Sequence, residues 1–141
     1  MDSLTSLAIS SSALHAQRLR MDVIAANLAN AQSTRTPEGG PYKRHDVVLE
    51  ATPGGSFGDI LGSEVGGAVR VARIAEDTKP PRIVFDPGHP DADDKGYVAY
   101  PNVNPITEMV DLMAATRAYE ANVAAVNATK RVLEAALSIG R

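Results

Sequence analysis

Between Leu4 and Ala31 the chain carries neither proline nor glycine, and apolar residues return every seventh position at Leu7, Leu14, Met21 and Leu28. Ile24 and Ala31 add a second row beside the first, so the segment reads as one long amphipathic helix. Ser10 and Gln17 interrupt that second row. A self-sufficient coiled coil would want a cleaner seam, so another surface is expected to complete this one. The pattern ends after Asn30 in a run of breakers that includes Pro37-Glu38-Gly39-Gly40-Pro41.

The middle of the chain changes period. Residues 46–50, 68–74, 82–85 and 97–100 read as short strands bounded by Gly, Pro and Asp signals. Between the first two lies a Gly-rich stretch, 53–67, whose composition is that of a flexible segment. Asn104 followed by Pro105 then supplies an N-cap and a first-turn proline, with Glu108 and Asp111 near the positive end of the helix dipole. From there one heptad row runs Met109, Thr116, Val123, Lys130, Leu137 and another Leu112, Tyr119, Val126, Leu133, ending at Gly140. Such a helix would span roughly 50 Å, more than a compact domain of this size needs. The expected fold class is therefore α+β. Long N- and C-terminal helices pair in a coiled-coil-like assembly domain (1–32 and 105–141), and a small strand-and-loop insert (33–104) lies between them.

Composition supports that picture. The chain is 44% hydrophobic but only 4% aromatic, so much of its apolar content is alanine, which favours helix over a thick β core. A net charge of -3 leaves no basic stripe for phosphate contacts, which argues against nucleic acid as a partner. The absence of cysteine excludes disulfides, thiolate catalysis and Cys-based zinc sites. Asp2 and the serines at 10–12 do not suit a cleavable signal peptide, and no apolar run reaches the roughly 18 residues of a membrane span.

Two segments imitate chemistry. Gly54-Gly55-Ser56-Phe57-Gly58 satisfies the G-x-S-x-G pattern, but an elbow needs a strand entering and a helix leaving, and here Thr52-Pro53 precedes and more glycine follows. Asp91-Ala92-Asp93-Asp94-Lys95-Gly96 resembles the start of a calcium loop, yet Lys95 occupies the fifth position and Asn102 the twelfth, where a bidentate Glu is needed. His15, His45 and His89 share no metal-ligand spacing, and Glu64 with Asp59 falls in the Gly-rich stretch, where a fixed carboxylate separation is hard to hold. No catalytic residue, metal, cofactor or small-molecule substrate is expected. A structural assembly subunit is the favoured class, ahead of a hydrolase and of a helical adaptor that binds one partner.

The end of the first helix, Ala25-Ala26-Asn27-Leu28-Ala29-Asn30-Ala31, resembles the hallmark of the flagellar rod and hook axial proteins. Gly39-Gly40-Pro41-Tyr42, the run from Phe85 to Asp93, Gly96-Tyr97-Val98, Pro101-Asn102-Val103-Asn104 and the stretches 108–112 and 117–123 extend the resemblance over nearly the whole chain. They point to the proximal-rod members of that family. Ala26 stands where many hook-type members carry Asn, and the 86–93 run disfavours the other small proximal-rod type. The resemblance implies a subunit of the periplasmic rod of the basal body, which transmits torque and encloses the export channel. It also implies delivery by the flagellar type III apparatus without a cleavable signal. The implied partners are further copies of the chain, other proximal-rod proteins, the distal-rod protein and the rotor-base adaptor, in a helical assembly without direct membrane insertion. The expected assembly interface comprises Leu7, Leu14, Met21, Ile24, Asn27, Leu28 and Asn30 on the first helix. On the last it comprises Met109, Leu112, Tyr119, Val123, Val126, Leu133 and Leu137.

Overall fold

The computed structural model describes residues 3–51 and 67–139. Ser56, Asp59, Glu64 and the Gly-rich stretch, apart from Gly67, lie outside the described residues. Among the described residues six elements follow in order: α1 (Ser3–Ala29), β1 (His45–Ala51), β2 (Val69–Glu76), β3 (Arg82–Phe85), β4 (Tyr97–Tyr100) and α2 (Pro105–Ile139). This is the α+β arrangement of two long terminal helices around a small antiparallel insert.

Helix α1 ends because Asn30 turns back on it. The Asn30 amide donates to the Ala26 carbonyl at 2.9 Å, and its Oδ1 accepts from the Ser33 hydroxyl at 3.1 Å. At the other helix, Asn104 Oδ1 accepts the Ile106 N–H at 3.0 Å. This is the expected cap, with Pro105 occupying a position whose N–H would have no partner anyway.

The two helices pack against each other and run antiparallel. Asn27, late in α1, meets Glu108, early in α2, while Met21 Sδ lies 3.6 Å from Thr116 Oγ1 further along. Both helices rise equally per residue, so Ser3 falls opposite about residue 133 of α2. Leu133 is the last half-buried residue of α2, and the described residues after it are exposed.

The seam on α2 differs from expectation by one residue in one of its two rows. Leu112, Tyr119, Val126 and Leu133 are half-buried as expected, but their companions are Glu108, Ala115, Asn122 and Thr129. Of the expected companions Met109, Thr116, Val123, Lys130 and Leu137, only Val123 is partly covered. The true row carries no large apolar residue, so hydrophobic periodicity could not find it. Its small side chains let α1 come close, and Thr129 and Asn122 satisfy themselves on the Ala125 and Ala118 carbonyls of their own helix.

The insert is two ribbons. β1 and β2 pair antiparallel from His45 opposite Glu76 to Ala51 opposite Val69, with a bulge at Ala72, where the register shifts between Val48 and Leu49. This ribbon packs on α1, and Ser12 Oγ receives the Val69 N–H at 3.1 Å. β3 and β4 pair from Arg82 opposite Tyr100 to Phe85 opposite Tyr97. The loop between them is tied to the chain after α1, because Asp91 accepts from the Thr34 hydroxyl at 2.8 Å and pairs with Arg35 at 3.0 Å. Among the described residues the core is thin: the buried apolar residues are Ala16, Ile24, Ala31, Val47, Val98, Val103 and Ala115.

Candidate assembly interface

One face of α2 is apolar and open. Ile106, Met109, Val110 and Met113 repeat at the spacing of a helical stripe and are 74%, 52%, 54% and 56% exposed. They lie on the side opposite the Leu112–Leu133 row, and beyond exposed Arg117, which interrupts the stripe, exposed Ala121, Ala124, Ala128 and Val132 lie on the same side. The β3–β4 ribbon offers a second open patch. Ile83, Phe85 and Tyr97 point away from the side on which Val98 is buried, and the Phe85 and Tyr97 rings meet edge to face at 5.3 Å.

The residues expected at the interface divide by exposure. Leu7, Leu14, Met21 and Leu28 on α1, Asn30 just after it, and Leu112, Tyr119, Val123, Val126 and Leu133 on α2 are half-buried within the chain itself. Met109 is open, and so is Leu137 at 74%, because it lies past the start of α1. Ile24 and Asn27 are interior, with Asn27 fully buried. Ile106, Val110, Met113 and Val132 are absent from the expected set, although their spacing was a readable signal once Met109 was noticed.

Asn27 is the centre of a polar cluster joining three parts of the chain. Its Oδ1 accepts the His45 N–H at 2.9 Å and the Tyr42 hydroxyl at 3.0 Å. Its Nδ2 donates to the His45 carbonyl at 2.8 Å and to Glu108 Oε2 at 3.2 Å. Both donors and both acceptor sites of the amide are used, and rotating it would set donor against donor, so its orientation is fixed. Toward His45 the side chain imitates a neighbouring strand. His45 Nδ1 lies 3.0 Å from the Tyr42 phenol oxygen and completes the cluster.

Glu108, 1% exposed, also receives Arg44 Nε at 2.6 Å. A buried carboxylate is tolerable only with such partners. Burial acts to lower the Arg44 pKa but is outweighed by the Glu108 hydrogen bond and charge and by Asp46 and Asp77, so it stands raised. Tyr42 is raised by burial first and by the Glu108 charge second. Neither Tyr42, Arg44, His45 nor Glu108 announces this role in sequence, because the cluster exists only where distant segments meet.

The acids that imitate a calcium loop are engaged otherwise. Asp91 holds Thr34 and Arg35, and Asp93 Oδ1 accepts the N–H groups of Lys95 and Tyr97 at 2.9 and 2.8 Å. Among the described residues no three His, Asp or Glu side chains are grouped to hold a metal.

The open stripe is apolar surface on the described residues, and comparison with known proteins gives the family of the chain. A family model described as flagella basal body rod protein matches residues 7–35, and one described as flagellar basal body rod FlgEFG protein C-terminal matches residues 94–139. The flagellar basal-body rod protein FlgC of Bacillus subtilis is 49% identical, over 96% of this chain and 97% of its own. The chain belongs to the FlgC family. The FlgC proteins of Borreliella burgdorferi and Aquifex aeolicus are 43% and 42% identical, each covering 94% or more of both chains. As a FlgC-family member the chain is a structural component of the flagellar basal-body rod and not an enzyme. The two matched regions contain Asn27 and Glu108, while Tyr42, Arg44 and His45 lie between them.

Proposed function

We propose that this chain builds the proximal rod, joining the rotor base to the distal rod and hook, carrying torque outward and enclosing the export channel. Its terminal helices pair in coiled-coil-like fashion as the assembly unit, and the insert shapes contacts around the tube. Its neighbours are further copies, other proximal-rod proteins, the distal-rod protein and the rotor-base adaptor. It works in the periplasm after delivery by the type III apparatus.

The observation that carries this reading is the open stripe of Ile106, Met109, Val110 and Met113 on the back of α2. An apolar face opposite the intramolecular seam gives each subunit a surface that only another chain can cover. Contacts between unlike patches propagate as an open helix where the rotation between neighbours does not close a ring.

Deletion of the protein is expected to leave the rotor base intact and halt the rod above it, as seen by electron microscopy of isolated basal bodies. Met109→Glu, supplied to that deletion strain, should leave the purified monomer within about 0.5 kcal/mol of the parent in urea unfolding. Swimming and rod completion should nevertheless be lost. Normal rods built from the Met109→Glu protein would remove the stripe from the assembly surface.

A further inference from the structure

We propose that the cluster of Asn27, Tyr42, Arg44, His45 and Glu108 is a register lock that selects which heptad of α1 faces which heptad of α2. The apolar seam has little power to make that choice. Leu7, Leu14, Met21 and Leu28 repeat every seven residues, and so do Leu112, Tyr119, Val126 and Leu133. The companion row Ala115, Asn122, Thr129 is small and satisfied within its own helix. Sliding α2 by one heptad, about 10 Å, brings like rows onto like rows.

Glu108 has no counterpart seven residues on. The slide puts Ala115 beside Asn27, leaves one Asn27 donor without its acceptor and strips Arg44 of the carboxylate 2.6 Å away. The opposite slide would need residue 101, a proline before the helix begins, in the same place. Asn27 also grips the backbone of His45 on both its N–H and its carbonyl, so the lock sets α1, β1 and α2 together. A buried ionic group in an otherwise repetitive helical seam has its best-attested use in fixing register, at no gain in stability.

The chain contains no cysteine, so engineered pairs report register directly. Met21→Cys with Thr116→Cys samples the observed register, and Met21→Cys with Val123→Cys the one slipped by a heptad. With the cluster intact, the 21/116 pair should oxidise and the 21/123 pair stay near background. Arg44→Leu/Glu108→Leu should still unfold cooperatively, with a thermal midpoint lowered by no more than the one Asn27 donor left without its acceptor. The 21/123 yield should rise at least about tenfold, a register preference of about 1.4 kcal/mol released. Val126→Ala, which weakens the seam but spares the cluster, should lower the midpoint without raising 21/123. The proposal fails if Arg44→Leu/Glu108→Leu folds and oxidises only in the 21/116 register. It fails equally if that variant loses cooperative unfolding, since the cluster would then supply stability and not register. A rise of 21/123 in Val126→Ala also overturns it.

Discussion

At Asn27 a single side chain spends every hydrogen bond it has, and the consequence is an asymmetry between substitutions of similar size. Asn27→Ala leaves the His45 backbone and a Glu108 oxygen short of partners inside the chain, at a cost of about 3 kcal/mol. Asn27→Asp keeps the volume but turns a donor into a carboxylate oxygen facing Glu108 and the His45 carbonyl, which should cost at least about 1 kcal/mol more at neutral pH. Urea unfolding of the two monomers separates them, and equal midpoints would mean that the amide orientation does not matter. The sequence marks Asn27 only as a position in the Ala25–Ala31 motif. Its partner Glu108 reads as a first-turn acid suited to the helix dipole, and nothing local joins the two.

Elements were the most legible scale, because their signals are short-range. The Asn104-Pro105 start of α2 and the four strands follow from cap chemistry, alternation and turn residues within a few positions of each other. The turn before β4 shows how closely some of these residues are held. Gly96 has φ +79°, and an added Cβ would sit 3.0 Å from Phe85 Cε2 and 3.1 Å from Pro87 Cβ. Gly96→Ala should therefore cost about 1–3 kcal/mol. It should loosen the β3–β4 ribbon ahead of the helices, seen as amide-exchange rates rising first in residues 82–100. Unchanged exchange there would show that the turn yields without strain. What the elements did not reveal was the face of α2 that turns inward, because the Glu108–Thr129 row carries no large apolar residue to count.

For the whole molecule, the polar cluster sets how stability responds to alkali. Folded Tyr42 holds its proton more tightly than the unfolded chain, with its pKa above the ordinary 10.0. Its contribution is fully present below about pH 10 and is lost as pH rises through the folded value. Arg44, raised above the ordinary guanidinium value, acts in the same direction at still higher pH. The thermal midpoint should hold to about pH 9.5 and then fall, and Tyr42→Phe should flatten that fall between about pH 10 and 12. An identical alkaline slope in the Tyr42→Phe protein would exclude the phenol as its source. The open stripe belongs to this scale too: Ile106, Met109, Val110 and Met113 leave an apolar face of α2 uncovered by the described residues.

The sequence by itself determined where the helices and strands run, how α2 is capped, and that the apolar rows of both helices repeat by heptads. Those features depend on dihedral preferences and on neighbours one to seven residues away. The tertiary structure alone decided that the helices run antiparallel, that the row of Glu108 faces inward, that Asn27 is interior and that Met109 faces outward. Those outcomes rest on contacts between residues as far apart as Asn27 and Glu108, 81 positions in the chain. A buried charge becomes acceptable only when folding brings Arg44 and Asn27 to it, and no local pattern encodes that meeting.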